Sequence, residues 1–542
     1  MSRRLLNVCI LVVFLFIGFG LSACYGGTAT VADLPNPADD DRPPGSPPEL
    51  PRVKVELPPA QVTGNVRVIT NGDDLQSAIN AAKPGDVIAL QPGIIVHGAV
   101  TLPAKNGSGW ITIKSNAPDA TFPPSGTRVS PSDARLMPVI ESDDNAAIQT
   151  DRGAHHYHFV GIEIRPKAGV YIKNLVMLGI GASTVEDLPH HIVFDRCYVH
   201  GDPQVGGRRG IALNARDTAI VDSYFSDFKD DGEDTQAICG WNGLGPFAIL
   251  NNYLEAAGEN IMFGGGDPDI LNLVPSDIVI RDNHLAKPLA WRKSPWTVKN
   301  LFELKNARRV LVENNLLEYN WPQAQNGYAI VFTPRNQDGD SPWSMVRDVT
   351  FRRNVIRHVS SGLNIMGTDD NHPSQQTKRI LIQDNVFDDV SSENWGGIGN
   401  FMQMLHGAAD VTVDHNTAFE TYAALVASGE PNVGFTFTNN IVPNAVYGVG
   451  GDAHYGDPPR ALSTYFPGAV FRANVIQGAD PRDYPAGNFF PPSMNDVGFM
   501  NYAAGDYRLR SDSPYKSAGT DGKDLGAILN TPAPSPRRRA AH

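Results

Sequence analysis

Val310-Leu311-Val312-Glu313-Asn314-Asn315-Leu316-Leu317 is a short alternating strand, a polar turn and two further apolar positions, and the chain repeats it. Copies begin at Ile192 (I-V-F-D-R-C-Y-V), Ala219, Phe247, Ile278, Val349, Ile380, Val411, Phe435 and Val470. Aligning them puts one turn residue at Cys197, Ser223, Asn252, Asn283, Asn315, Asn354, Asn385, Asn416, Asn440 and Asn474, in steps of 24 to 39 residues. Repeats on that scale build solenoids, propellers or arrays.

Alternation with period two is a strand signal and excludes helical repeats. A four-stranded propeller blade needs about 40 residues, more than most of these steps supply. Three short strands and their turns fit, so the expected fold is all-β, a right-handed parallel β-helix of about 11 to 13 coils, the hand following from the general rule for parallel crossovers. Asn suits the bend because it tolerates left-handed backbone, and its amides can bond along the axis as a ladder.

The ends read differently. Arg3 and Arg4 precede an apolar run from Leu5 to Leu21, the pattern of an export signal over residues 1–24. Leu21-Ser22-Ala23-Cys24 resembles a bacterial lipobox, which implies lipidation at Cys24, and Tyr25 resembles the sorting residue of lipoproteins sent to the outer membrane. The resemblance thus implies a cell-envelope location, facing the periplasm or the outside. Residues 25–60 hold nine prolines between Pro35 and Pro59 and the acidic run Asp39 to Asp41, a composition expected to form an extended solvated tether. Residues 61–530 are expected to form one elongated, monomeric domain and 531–542 a basic disordered tail. In the body only Cys197 and Cys239 remain, which excludes a disulfide framework and suits buried packing residues.

Asp73 to Ala82 reads as a short amphipathic helix with an acidic N-cap, followed by Lys83-Pro84-Gly85-Asp86 and the strand Val87 to Leu90, a cap that keeps the first coil from exposing core. With Gln91-Pro92-Gly93, this stretch resembles the N-terminal cap of secreted right-handed parallel β-helix proteins, including the chondroitinase-B and alginate-lyase family. Val497-Gly498-Phe499 and Gly505 to Leu509 resemble the closing segment of the same superfamily. The resemblance spans about residues 66 to 530 and is one of fold.

The step from Asn283 to Asn315 carries the most unusual composition. Between Lys287 and Arg309 lie seven basic residues, Lys287, Arg292, Lys293, Lys299, Lys305, Arg308 and Arg309, against the single acid Glu303, in a chain of net charge −13. Such a local positive patch marks an anion site. Trp291 and Trp296 lie within it, and Trp321 and Trp343 follow; flat indoles beside cations suit sugars that bear carboxylate or sulfate. Alternation from Leu301 to Asn306 turns Phe302 and Leu304 inward and Glu303 and Lys305 outward, with Glu259 and Arg335 on the neighbouring coils and a flexible Gly264-Gly265-Gly266 after the former.

Two reactions fit. In β-elimination, Lys305 is the base, Arg309 or Arg335 neutralises a uronate carboxylate, Lys287, Trp291, Lys293, Trp296 and Lys299 bind the chain, and Glu259 with Glu303 can hold Ca²⁺ through oxygen ligands. This is also the logic of the lyase family that the cap resembles. In hydrolysis, paired carboxylates from Asp230, Asp231, Glu233 and Asp234 do the work; Asp230-Asp231 is similar to the aspartate pair of the polygalacturonase family, whereas the Gly-His-Gly and Arg-x-Lys signatures of that family are absent. An acidic turn is the plainer reading of that cluster. A non-catalytic carbohydrate-binding or scaffold role is the third reading, since fold does not imply activity. His155, His156, His158, His190 and His191 sit at strand entrances and lack H-E-x-x-H spacing, so turn capping is expected of them. No phosphate loop, nucleophile elbow or nucleic-acid module occurs. The expected partner is an acidic polysaccharide.

Overall fold

The computed structural model describes residues 34, 40, 42–59 and 64–528. The export signal, Cys24 and the basic tail lie outside the described residues. The body is a parallel β-helix, with strands stacked into three parallel sheets of fourteen, thirteen and twelve strands. Ser276–Arg281, His284–Ala286 and Phe302–Leu304 form one turn of the coil, and Ala307–Glu313, Leu316–Asn320 and Tyr328–Phe332 form the next. Their registers, Ile278 with Val310, Leu285 with Leu317 and Phe302 with Ile330, repeat one side chain above its counterpart. Fourteen strands at ~4.8 Å spacing make a rod about 60 Å long.

Period-two alternation puts Val310, Val312 and Leu317 inside, in a single core that runs the length of the rod. Rings stack within it, as Phe159 does on Phe194 at 5.2 Å and Phe437 on Phe471 at 5.1 Å. Helix Leu75–Ala81 closes one end with Leu75, Ala78 and Ile79 buried; Asp74 occupies its N-cap without a side-chain hydrogen bond, so the cap holds by packing. At the other end an antiparallel pair, Phe499–Asn501 and Asp506–Leu509, packs with Val497 and Leu525 against Val386, Ile441 and Val475.

The Asn ladder is present. The backbone N–H of Asn315 donates to Asn354 Oδ1 at 2.9 Å, and Asn315 Nδ2 donates to the same oxygen and to Ile280 O. This pattern runs from Ser223 to Asn474 and on to a last rung, Asn488, which the repeat did not disclose. One detail departs from expectation. The left-handed residue is the one before each rung, Asn314 at φ 59° and Asp384 at φ 56° for example, while the rung itself works through its buried amide.

A second row of left-handed residues stands at the entrance to the fourteen-strand sheet: His156, His191, Asp217, Asp277, Arg309, Asp348, Arg379 and Asp410, with φ between 46° and 60°. Opposite charges pair along it, Arg309 with Asp277 at 2.8 Å and Arg379 with Asp348 at 2.7 Å. Residues 42–59 lie against this row. The N–H groups of Gly45, Glu49, Arg52 and Glu56 donate to Asp410, Asp348, Asp277 and Asp217 at 2.8 to 3.1 Å. Asp40 meets Lys378 and Arg379 at 2.5 and 2.6 Å. In its described residues 42–59 the proline-rich segment is a strap bonded to the rod, where its composition predicts a solvated tether. Each carboxylate in the row offers acceptors that backbone N–H groups without sheet partners can use.

Candidate active site on the twelve-strand sheet

Strand Glu259–Phe263 lies beside Phe302–Leu304, with Ile261 paired to Phe302 and Met262 to Glu303. Leu301 and Phe302 are consecutive and both belong to the core. The strand therefore bends there, and Asn300 and Glu303 both face outward. The same bend at Asn260 and Ile261 leaves Glu259 outward, beside Asn300. Asn260 points the other way, donating to the Leu254 and Ala286 carbonyls inside the corner.

Polar side chains link across this face. Arg209 donates to Gln236 at 2.8 Å, and Gln236 to Glu259 Oε2 at 2.7 Å. Asn300 Nδ2 donates to Glu303 Oε2 at 2.7 Å, and Lys305 Nζ stands 3.5 Å from Glu303 Oε1. Lys299 bonds Asp234 at 2.5 Å and reaches within 3.9 Å of Glu259 Oε1. Arg335 donates its N–H to the Lys305 carbonyl at 2.9 Å, while its guanidinium is gripped by Asp369 and Asp370 at 2.6 and 2.9 Å.

Gly264, at φ 94°, makes this packing possible, because a Cβ there would come within 2.6 Å of Asn306 N and 2.8 Å of Lys305 Cβ. The glycine run is thus a close approach and not a hinge. Asp267 after it is pinned by the N–H groups of Gln337, Asp338 and Asp340 and by the Ser341 hydroxyl.

Burial, then the nearby carboxylates Glu303 and Asp234, push Glu259 up to about 7. Lys305 moves the other way from what a lysine base needs: Glu303 foremost raises its pKa, against burial. The resting Lys305 is an ammonium.

The expected site residues divide into groups. Glu259, Lys299, Glu303, Lys305 and Arg335 come together. Arg309 does not; it enters the fourteen-strand sheet paired to Asp277, because its left-handed backbone turns it into the charged row under the strap. Lys287 is not on the surface at all. Its Nζ lies inside the turn before Glu259, donating to the carbonyls of Ala256, Ala257 and Gly258 at 2.7 to 2.9 Å, with Asn260 Oδ1 at 3.3 Å. Burial pulls its pKa down, yet four oxygens around one nitrogen fit an ammonium. It is a strut for the turn rather than a substrate contact.

Trp291 and Trp321 are buried in a satellite cluster with Ala257 and Val298, against which Trp296 is half-buried, and Lys229 lies 5.6 Å over the rings of Trp291 and Trp296. Trp343 is buried elsewhere, donating to Leu273 O. Of the indoles in and after the basic stretch, Trp296 is left as a partial sugar platform, and Lys293 is exposed.

The acidic cluster resolves as a turn. Asp230 accepts from the N–H groups of Gly232 and Glu233, Arg208 pairs with Glu233 at 2.8 Å, and Asp234 joins Lys299 in the site above. Cys197 and Cys239 are free and buried, their thiols pushed up to about 12 and about 11 by burial.

The donor set on this face fits a hard cation. Glu259 Oε1 and Asn300 Oδ1 are buried and accept no hydrogen bond, and Glu303 crowds Glu259 with like charge. Carboxylate and amide oxygens of this kind are calcium ligands.

No protein-family model matches the chain, and no curated protein does. Solved structures align with parts of it. A PL6 family alginate lyase, AlyGC, aligns at 12% identity and TM-score 0.44, over 86% of this chain and 59% of its own. The Dettilon tailspike protein aligns at 13% and 0.38, over 79% and 69%. Pectate lyase Pel9A aligns at 14% and 0.30, over 84% and 91%. At these values the alignments assign nothing, and both fold and chemistry rest on the residues of this chain.

Proposed function

We propose that this protein acts on acidic, uronate-containing polysaccharide by β-elimination on the outer face of the twelve-strand sheet. The observation that carries the reading is the convergence of Lys305, Lys299 and Arg335 with the buried carboxylates Glu259 and Glu303 on the outer side of one sheet. Elimination moves the proton beside the uronate carboxylate to a base, its bonding pair forms the carbon–carbon double bond, and the glycosidic C–O bond breaks with its oxygen taking a proton. Lys305 is the proton-handling group. Glu303 holds it as an ammonium at rest, so it must be released from that carboxylate to accept a proton.

Glu259, Glu303 and Asn300 would hold Ca²⁺, which supplies charge neutralisation for a substrate carboxylate. Holding the two acids in that way also removes what raises the Lys305 pKa. Arg335, fixed by its two aspartates, orients the Lys305 backbone, and Lys299 with Lys293 and Trp296 lines the approach.

The test is a panel of polyuronates and glycosaminoglycans, followed by ultraviolet absorbance of an unsaturated sugar and by reducing ends. Absorbance that disappears in Lys305→Ala and survives in Arg309→Lys supports the reading. Reducing ends without absorbance would assign hydrolysis instead, and retention on a polysaccharide matrix with neither would assign binding alone. The lipobox reading adds an envelope anchor at Cys24; partition of the full chain into detergent, abolished by Cys24→Ser, is its check.

A further inference from the structure

His155–Val160 and His190–Asp195 are neighbouring strands, and their register sets His190 directly against His155. His156 and His191 take left-handed backbone, φ 59° and 53°. That breaks the alternation of the strand, so each His-His pair presents both rings on one side. The rings stack between coils, His155 on His190 at 4.8 Å and 13°, His156 on His191 at 4.4 Å and 12°. Within each pair the Nδ1 atoms face one another, 2.8 Å apart in His155 and His156 and 2.7 Å in His190 and His191. His156, His190 and His191 can each offer a ring nitrogen within 4.8 Å of the others.

The surroundings suit metal ligation. Later rungs of this row pair carboxylates with guanidinium groups, whereas these two rungs stack imidazole on imidazole. On the far side of the His191 ring, Nε2 faces Glu56 at 3.3 Å and Asp217 at 3.5 Å. A proton on Nε2, held by those carboxylates, leaves the Nδ1 lone pair directed at His190, the carboxylate–histidine–metal arrangement that fixes a tautomer. Trp110 closes one side, edge-on to His156 at 5.2 Å. Arg216 opposes a bound cation, and the carboxylates of Asp217 and Glu56 offset it.

We propose that His156, His190 and His191 form a binding site for a divalent first-row transition metal, zinc by ligand type, with His155 as the neighbouring fourth imidazole. Zn–N bonds of about 2.0–2.1 Å in a tetrahedron put ligand nitrogens about 3.3 Å apart, a small side-chain adjustment from the present spacing. Glu56 belongs to the strap, so the ion ties residues 42–59 to the first coils through an outer-shell carboxylate.

The test uses the full chain without an affinity tag, stripped by chelator and titrated with Co²⁺, then competed with Zn²⁺. One equivalent of Co²⁺ with intense visible bands, displaced by Zn²⁺ and unaffected by millimolar Ca²⁺ or Mg²⁺, is expected. His190→Gln/His191→Gln should lose the bands, while His158→Gln should keep them. Glu56→Gln/Asp217→Asn leaves the imidazoles in place and should weaken binding about 10-fold; it also serves if the double histidine variant does not fold. No saturable binding in the full chain, or bands that persist in the double histidine variant, would overturn the proposal.

Discussion

Lys287 Nζ donates to the Gly258 carbonyl at 2.7 Å, and Gly258 is the residue before Glu259. The candidate site therefore depends on a cation that never meets solvent. Lys287→Met would remove the ammonium that the Ala256, Ala257 and Gly258 carbonyls and the Asn260 amide oxygen share, leaving Ala257 O only the Lys299 N–H. A loss of about 3–5 kcal/mol is expected from urea unfolding. Any activity that survives should fall as well, because the turn presenting Glu259 loses its internal support.

Glu259 makes stability pH-dependent. Its folded pKa, about 7, lies above its unfolded value, so the folded state binds the extra proton between those limits. The chain should lose stability as pH rises from about 5 to 7, a slope that Glu255, likewise pushed up to about 7 by burial, shares. Glu259→Gln should flatten that slope in urea midpoints measured across the range. If Ca²⁺ occupies the face as proposed, millimolar Ca²⁺ should also flatten it in the wild-type chain.

Asp348 is buried and serves Arg379, Arg42 and the Glu49 N–H together. Asp348→Asn leaves the Arg379 guanidinium without its main partner inside the structure. Unfolding should become easier by about 3 kcal/mol. Limited proteolysis should then cut residues 42–59 before the coils.

Asn354 accepts from Asn315 N and Nδ2 and donates to Asn385 and Val312 O. Asn354→Ala leaves several buried groups unmet at about 1–3 kcal/mol each. Asn488→Ala, at the last and less buried rung, should cost about 1 kcal/mol, and chemical denaturation would order the two.

The repeat could be read because each rung needs the same amide and each strand the same alternation, so Asn283, Asn315 and Asn354 announce the coil length directly. Charge could not be read in that way. Lys287 and Lys305 look alike in sequence, but one points into a corner of backbone carbonyls and the other onto a face, a difference set by which turn each follows. Arg309 was drawn away by a left-handed backbone that no residue type reveals. The histidine pairs lie 35 positions apart, and only strand register brings His155 onto His190. The strap escaped because composition reports the inability to form a core, whereas its partners are carboxylates far along the chain.

The strap doubles back at Pro43 and Ser46, and Leu34 takes a hydrogen bond from Asn272 Nδ2 at 3.0 Å. Leu34 thus sits against the waist of the rod and not at its capped tip. A pull on the strap meets the coils broadside, its load shared among bonds spaced along the axis.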